Sequence, residues 1–492
     1  MRILYLDCDT LRPDHLGCYG YGRDTSPNID EIASQGVRFT NYYASDAPCL
    51  PSRSALMNGR FGIHTGIVGH GGTAADLRIE GERRGFSNAA AAAPWMKRMH
   101  AAGFRTVTIS PYAERHGAWW FYNGFTEMVN TGRCGHERAD EVTPWALEWL
   151  GRHAREDNWF LHVNFWDPHT PYRTPPEYGN PFEHDPAPAW HTNAVLDQNR
   201  QGYGAHSALD PRGFPWEIVE QIKRYPHLPV EIASQEDFKK WIDGYDTGIH
   251  YMDYHIGQIC DALDRCGVLD ETAIIVSADH GENQGELNVY GDHQTADHIT
   301  SRVPLIIRWP GITPTGGVQD ALLYNLDLAS TIMEMVGGVS SPMWDGISFA
   351  DAVRGLPGRG RDALVLSQCA WSCQRAVRWK NLLLVRTFHE GLRDFPDMML
   401  FDIDHDPHET RNLAEEMPQL VHEGLALLEA WTTDMMRTSE CAEDPLWRVI
   451  REGGPFHTRG AEARYCAWLR QAGRARHAED IERRMARHRA MV

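Results

Sequence analysis

Short apolar runs alternate with helical patterns along most of the chain, and this alternation is the strongest constraint on its fold. The runs have the length of buried strands and occupy residues 3–6, 37–40, 105–109, 159–165, 273–276 and 303–307. After the first run, a capping Ser26, Pro27 in the first turn and a terminating Gly36 predict a helix. A second helix is predicted to follow Ser234 and to continue through Leu263. Strands that alternate with helices are typical of an α/β fold with a mostly parallel sheet.

The sequence pattern changes after Gly355. Short strand-like runs follow one another closely and predict a small antiparallel sheet, at residues 363–366, 375–378, 382–385 and 399–401. A helix over residues 421–436 is expected to cover this sheet. The tail from residue 459 is expected to form a partly solvated helix that packs on its own body or on a neighbour. We therefore expect a main domain over residues 1–355, a small C-terminal subdomain over 356–437 and a helical tail over 438–492.

One segment does not follow this alternation. Residues 178–230 are rich in Pro, Gly and His and show little periodicity. A long irregular segment inside a compact domain is usually functional, so we expect a functional loop or a lid here.

Composition and charge exclude several classes of function. The net charge of −19 opposes nucleic acid as a partner, because binding phosphates requires a basic surface. No stretch approaches the roughly 20 apolar residues of a membrane span, so no membrane partner is expected. Only four apolar residues precede Asp7, too few for a secretory leader, which predicts a cytoplasmic location. The ten cysteines lack Cys-x-x-Cys spacing and predict free thiols rather than a disulfide framework.

A cysteine and an arginine lie where a helix is predicted to begin. Pro51 suits a first helical turn and Gly59 suits a C-terminal stop, so Cys49 should lie at or just before the helix N-terminus. Arg53, four residues later, shares a helix face with Cys49. A free cysteine alone is usually a small buried hydrophobe. A nucleophile, a guanidinium and the free amides of a helix N-terminus together suit a tetrahedral oxyanion.

Carboxylates follow two of the predicted strands. Asp9 follows the run at 3–6, and Asp279 and His280 follow the run at 273–276. Each is then at the carboxyl end of a strand, where open α/β sheets place their ligands. A turn or a helix cap could explain either position alone. Two aspartates and a histidine at one sheet edge favour a divalent cation such as Ca²⁺, Mg²⁺ or Mn²⁺.

The string Cys-Leu-Pro-Ser-Arg at residues 49–53 resembles the Cys-x-Pro-Ser-Arg signature of the type I, formylglycine-dependent sulfatases of the alkaline phosphatase superfamily. Other stretches resemble the family in the same order, at residues 6–20, 26–30, 166–172, 269–282, 302–311 and 402–409. Residues 178–230 and the tail after about 437 have no evident counterpart. The resemblance implies an alkaline-phosphatase-like α/β sandwich, in which a large, mixed, mostly parallel sheet and a smaller C-terminal antiparallel sheet form the core. It also assigns residues 1–355 to the catalytic domain.

The resemblance implies one divalent metal and one modified residue. Asp9, Asp279, His280 and the modified Cys49 are the implied metal ligands, with Ca²⁺ as the first expectation and Mn²⁺ or Mg²⁺ as alternatives. Cys49 is expected to be oxidised to formylglycine by the formylglycine-generating enzyme, a partner during maturation. Two departures from the family pattern occur. Thr10 follows Asp9 where the family often has a second aspartate, so Asp7 or Thr10 could add a ligand, and His280 replaces a frequent asparagine.

The implied catalytic residues are one arginine and several histidines: Arg53, His116, His169 and His293. The loop at 166–172 resembles the loop that presents a histidine to the sulfate ester. His293 lies nine residues before Arg302, where the family commonly has a lysine, and His298 is the alternative. Glu-Arg-His at 114–116 replaces the family's Lys-Trp-His, which assigns Arg115 only weakly. With five lysines in the chain, histidines and arginines are expected to supply the positive groups.

The expected reaction is hydrolysis of an organic sulfate monoester. The resemblance implies that one hydroxyl of hydrated formylglycine attacks sulfur and that deprotonation of the other hydroxyl expels sulfate. Asp279 is the implied base for attack, His169 or His293 the acid for the leaving alkoxide, and His116 the base for release. A sulfated mono- or oligosaccharide is the preferred substrate. The alternatives are a phosphonate monoester or phosphodiester hydrolase and a non-catalytic sulfoglycan-binding relative, and a homo-oligomer remains open.

Overall fold

The predicted strands assemble into two sheets, a large one and a small one. The computed structural model describes residues 1–80, 87–88, 94–216, 224–225 and 228–491. The strands are β1 Arg2–Cys8, β2 Val37–Phe39, β3 Tyr42–Tyr43, β4 Asp46–Ala47, β5 Ile79–Glu80, β6 Ser87–Asn88, β7 Arg105–Ile109, β8 Glu127–Val129, β9 Trp159–Phe165, β10 Thr272–Ala278, β11 Asn283–Gln284, β12 Tyr290–Asp292, β13 Leu305–Arg308, β14 Gly317–Gln319, β15 Leu323–Tyr324, β16 Ala363–Gln368, β17 Cys373–Trp379, β18 Leu382–His389 and β19 Met398–Asp402.

The α-helices are α1 Pro27–Ser34, α2 Cys49–Asn58, α3 Gly62–Thr65, α4 Trp95–Ala101, α5 Tyr112–His116, α6 Ala139–His153, α7 Asn193–Asn199, α8 Gln235–Arg265, α9 His298–Ser301, α10 Asp327–Met335, α11 Ala350–Val353, α12 Pro418–Thr438, α13 Pro445–Arg451, α14 Glu462–Gln471 and α15 Ala475–Met491. Short 3₁₀ turns occur at Pro13–His15, Gly17–Tyr19, Gly72–Ala75, Trp119–Tyr122, Pro176–Tyr178, Leu269–Glu271 and Glu286–Asn288. None of the helices in the described ranges has both the length and the apolar character of a membrane-spanning segment.

The large sheet has eight strands in the order β14-β2-β13-β10-β1-β9-β7-β8. Strand β13 runs antiparallel to both of its neighbours, and the other pairs are parallel. Strand β1 lies near the centre and all seven of its residues are buried, as its continuous apolar run predicts for a strand covered on both faces. The expected mixed, mostly parallel sheet is confirmed.

The two helices predicted from the sequence are present, and their first turns differ in how they are capped. The Ser234 hydroxyl accepts a hydrogen bond from the amide of Asp237 at the start of α8. The Ser26 hydroxyl caps nothing in α1, because it accepts from the Gly17 amide and donates to the Asp30 carboxylate. The capping role predicted for Ser26 was therefore wrong, although the helix itself was correct.

The small sheet is antiparallel in β16–β19, and helix α12 packs against it, as predicted. The sequence did not predict its fifth strand. Strand β4 pairs in parallel with β16, where Asp46 lies opposite Ser367 and Ala47 opposite Gln368. Because β4 ends just before α2, the start of that helix is attached to the small sheet.

The tail and the irregular segment pack on each other. Tyr465 and Leu469 of α14 and Ile481 of α15 lie in one apolar cluster with Tyr203 and Phe214. The predicted tail helix is therefore packed on the chain's own body. Part of the irregular segment, residues 217–223 and 226–227, lies outside the described residues. The irregular segment and the tail thus form one packed unit.

Candidate active site

Helix α2 places Cys49 at its first turn, deep inside the molecule. Cys49 is the first residue of the helix and its side chain is 1% exposed. Gly59 ends the helix with a φ of 63°, a left-handed conformation that favours glycine. The Ser52 hydroxyl donates to the carbonyl of Asp279 at 2.5 Å, and Asn325 donates to the Ser52 oxygen atoms. These bonds attach the N-terminus of α2 to the carboxyl end of β10.

The carboxyl ends of neighbouring parallel strands bring the predicted ligands to Cys49. Asp9 follows β1, and Asp279 and His280 follow β10. One ligand atom from each of these residues and the Cys49 sulfur all lie within 4.8 Å of one another. His280 Nε2 is 3.0 Å from Cys49 Sγ, and its Nδ1 is 2.8 Å from the Gly281 carbonyl. Since a carbonyl only accepts, Nδ1 carries the proton and Nε2 offers a lone pair toward the cluster.

Arg53 lies among three buried carboxylates. Its Nε and Nη2 donate to Asp7 at 2.9 and 3.2 Å, and its Nη1 donates to Asp9 at 2.9 Å and to Asp279. Burial alone would raise the pKa of Asp7, but the larger opposite effect of Arg53 and His162 lowers this pKa to about 2. Burial raises the pKa of Asp279 above its usual value even though Arg53 opposes this shift. The guanidinium offsets one of these three negative charges, so the strand ends keep an excess of negative charge.

The donor set fits a divalent cation. Asp9 Oδ1 and Thr10 Oγ1 are buried and have no hydrogen-bond partner in the described part of the chain. The Asp7 carboxylate, in contrast, accepts a hydrogen bond from Arg53 Nε, and its Oδ2 lies 3.2 Å from His162 Nε2. Oxygen atoms that burial removes from water normally have a partner, and hard cations prefer oxygen ligands. Asp9 and Thr10 thus offer oxygen atoms without a partner among the described residues, whereas Asp7 already accepts hydrogen bonds.

The predicted histidines differ in where they lie. His169 and His293 line the same cavity as Cys49, with ring centroids 5.5 Å apart, and the His293 ring is 4.1 Å from that of His280. His116 is one layer behind, 5.1 Å from the ring of His70. The alternative His298 faces away, because its Nδ1 pairs with the Tyr43 hydroxyl at 3.1 Å. The structure thus brings His293, not His298, to the cavity.

Burial sets the charge of these histidines. It lowers the pKa of His116, His169 and His293 well below the usual value, and Arg115 or neighbouring histidines reinforce the shift. His169 Nδ1 is 2.5 Å from the Thr170 carbonyl and carries the proton, which leaves Nε2 as an acceptor. A bound anion would raise these pKa values, because an opposite charge favours the protonated ring.

The cavity has a volume of ≈ 190 Å³ and includes residues that the sequence analysis did not select. They come from several separate parts of the chain: His70, His206, Arg212, Asp292, Trp371 and His457. The tryptophans near the motifs do not line it: Trp166 is fully buried between Arg53 and Arg115, and Trp119 is 63% exposed. The unusual share of histidine in residues 178–230 was the only sequence signal for part of this wall.

We expect Ca²⁺, Mg²⁺ or Mn²⁺ to stabilise the protein through this cluster. At 100 times its dissociation constant, a cation bound only by the native state adds about 2.7 kcal/mol to the free energy of unfolding. Thermal unfolding of chelator-treated protein, titrated with each cation, measures the effect. Asp279→Asn should abolish it, whereas Asp270→Asn, at an exposed aspartate outside the cluster, should retain it. Equal stabilisation of both variants would contradict the assignment.

Comparison with known proteins agrees with this geometry. The sulfatase family model matches residues 2–339, and the model for the C-terminal part of N-sulphoglucosamine sulphohydrolase matches residues 285–426. A choline-sulfatase from Rhizobium meliloti is 26% identical over 442 residues, which cover 79% of this chain and 78% of the relative. An N-acetylglucosamine-6-O-sulfatase from Bacteroides thetaiotaomicron is 22% identical over 476 residues, which cover 84% and 82%.

Solved structures share the fold. BT4656 in complex with its substrate D-glucosamine-2-N,6-O-disulfate has a TM-score of 0.69 at 19% identity, covering 89% of this chain and 98% of that one. The phosphonate monoester hydrolase SpPMH from Silicibacter pomeroyi has a TM-score of 0.65 at 20% identity, covering 89% and 96%. With the family model matched over more than half of its length, the chain belongs to the sulfatase family and is a sulfuric ester hydrolase with the alkaline-phosphatase-like fold.

Proposed function

We propose that this protein hydrolyses the sulfate monoester of a small sulfated sugar, and that Cys49, after oxidation to formylglycine, is its nucleophile. The observation that carries the proposal is the position of Cys49 at the N-terminus of α2, within 3.0 Å of His280 and beside Asp9 and Asp279. A hydrated aldehyde at this position supplies an oxygen nucleophile and releases sulfate when the aldehyde re-forms. The formylglycine-generating enzyme is the proposed partner for this maturation.

The proposed metal site consists of Asp9, Asp279, His280 and residue 49. A divalent cation held there supplies Lewis-acid polarisation and lowers the pKa of the attacking hydroxyl. Arg53 and the free amides of α2 offset negative charge that develops on the sulfate oxygens. The Asp279 carboxylate, with its raised pKa, is the proposed proton acceptor during attack.

Three histidines are proposed to carry out the other two proton transfers, protonation of the leaving alkoxide and deprotonation for sulfate release. His169 and His293 lie in the cavity, where an anionic ester would raise their pKa and allow either to protonate the leaving alkoxide. His116 has a buried Nε2 with no partner among the described residues and is the proposed base for release. Arg115, which lines the cavity with its guanidinium 4.8 Å from the Trp166 ring, is proposed to bind the sulfate group.

The cavity lining favours a small anionic sugar over a cationic ester such as choline sulfate. Arg115 and Arg212 line the cavity, and the one carboxylate among its described lining residues, Asp292, is 2.9 Å from His206 Nε2. The two guanidiniums would repel the positively charged head group of choline sulfate. A volume of ≈ 190 Å³ is below the roughly 300–1,000 Å³ of drug-sized ligand sites, which supports a monosaccharide or a chain end. The sugar-specific relatives agree in substrate class with this choice.

The experiment that tests the proposal compares sulfate with phosphonate. The matured, metal-loaded protein should hydrolyse para-nitrophenyl sulfate with a kcat/KM at least about 100-fold above that for para-nitrophenyl phenylphosphonate, equivalent to about 2.7 kcal/mol. Intact mass should show a loss of about 18 Da at Cys49 relative to the encoded chain. The reverse preference would assign the protein to the phosphonate hydrolases, and a matured protein without turnover on either ester would make it a binding relative.

A further inference from the structure

The irregular segment and the tail supply part of the active-site cavity. Pro211, Arg212 and Leu228 come from the irregular segment, and His457 comes from the tail. His457 stacks on Trp371 with ring centroids 4.6 Å apart, and its Nε2 is 2.9 Å from His70 Nδ1. This part of the wall is therefore formed where the irregular segment and the tail pack on each other.

Arg212 is the most unusual member of this wall. Its side chain is 4% exposed, its Nε donates to the carbonyl of Pro229 at 2.9 Å, and its buried Nη1 has no partner in the described ranges. No carboxylate of the described residues lies within ion-pair distance of it. A buried cation without a counterion is costly, because burial removes water without replacing its interactions.

The other charged groups of the cavity already have partners. Asp292 accepts from the amide of His293 at 2.7 Å and lies 2.9 Å from His206 Nε2. The guanidinium of Arg115 donates to the Cys134 carbonyl at 3.1 Å and stands over the Trp166 ring. Burial lowers the pKa of His70 well below its usual value and that of His457 to about 4, so both rings are neutral near neutral pH. Arg115 is assigned to the sulfate that is cleaved, and Arg212 is the second cation of the described lining, with a buried donor that has no partner among the described residues.

We propose that Arg212 binds a second anionic group of the substrate, so that the preferred ester is a sugar bearing a sulfate or a carboxylate in addition to the sulfate that is cleaved. The inference rests on the proposed function and adds the class of substrate. A guanidinium matches the two oxygen atoms of either anion, and burial strengthens the pair. Arg212 is then a specificity-determining residue that acts away from the reacting sulfur.

Binding to a Cys49→Ala protein, which cannot turn over, tests this directly. Calorimetry compares the dianion D-glucosamine-2-N,6-O-disulfate with the monoanion N-acetyl-D-glucosamine-6-O-sulfate, in which a neutral acetamido group replaces the N-sulfate. A third probe, iduronic acid 2-sulfate, presents a carboxylate as the second anion. We expect at least one dianion to bind about 10- to 100-fold more tightly than the monoanion, the range for a hydrogen-bonded charge. The dianion with the higher affinity identifies the second group.

Adding Arg212→Gln should remove this preference, so that the dianion and the monoanion bind with similar dissociation constants. Arg200→Gln is the matched control, because Arg200 anchors the same segment by donating to the Ile232 carbonyl at 3.1 Å yet does not line the cavity. It should retain the preference. Equal affinities of all three probes for the Cys49→Ala protein, or an equal loss for monoanion and dianion in Arg212→Gln, would overturn the proposal. Turnover of para-nitrophenyl sulfate by the matured protein tests the reaction separately.

Discussion

Turnover of para-nitrophenyl sulfate falls by at least about 10⁴-fold when Cys49 is replaced by alanine, the scale seen when a nucleophile is removed. The reason is that residue 49 is the one side chain that both starts α2 and contacts His280 in the acidic cluster. The lost sulfur is small and buried, so the fold should persist. Steady-state kinetics on matured protein, with circular dichroism to verify folding, measures both expectations.

Cys260→Ala is the control for this experiment. Cys260 is a half-buried cysteine on α8, outside the cavity lining, and its replacement removes the same atom without touching the cluster. We expect near-normal turnover from this variant. Substantial activity in Cys49→Ala would refute the role of residue 49 as nucleophile.

Arg53→Gln should be the most destabilising single change at the site. It removes the cation that Asp7, Asp9 and Asp279 share and leaves three buried carboxylates uncompensated. Breaking a buried pair in this way costs about 3–5 kcal/mol in the free energy of unfolding. The loss of charge stabilisation should also lower kcat by about 10²- to 10³-fold. Denaturant unfolding of the metal-free protein measures the loss of stability, and steady-state kinetics of the metal-loaded protein measure the fall in kcat.

Two further variants separate charge from position. Arg105→Gln removes a partly exposed arginine that pairs with Glu127 and Glu156 on the surface, and should cost no more than about 1 kcal/mol. Arg53→Lys retains the charge but cannot contact both oxygens of Asp7, so its stability should lie between wild type and Arg53→Gln. An Arg53→Gln protein as stable as wild type would show that the carboxylates do not depend on this guanidinium.

Local signals in the sequence were sufficient to predict the centre of the site. Pro51 and Gly59 correctly marked the ends of α2, and the strand runs correctly placed Asp9 and Asp279 at one sheet edge. These signals act over a few residues or one strand pair. They can therefore be recognised without knowledge of the tertiary structure.

The cavity wall could not be predicted in the same way. His70 and His457 meet across most of the length of the chain, and Arg212 lies in a segment without periodicity. Strand β4 has two residues and gave no pattern to detect. The capping role of Ser26 was wrong because its hydroxyl accepts a hydrogen bond from the amide of Gly17, a residue outside the helix. Contacts decided by the tertiary structure have no local sequence signal.

The pairing of β4 with β16 limits the time during which Cys49 can undergo the proposed oxidation to formylglycine. During synthesis this residue emerges long before β16 has been made, and domains fold as their parts become available. Until the later strand docks, the segment before α2 lacks its sheet partner and the thiol can be reached by another enzyme. Once docked, the thiol is enclosed. In a chain that completes folding with Cys49 unmodified, the thiol is out of reach of that enzyme. Such a chain must unfold locally before Cys49 can be oxidised.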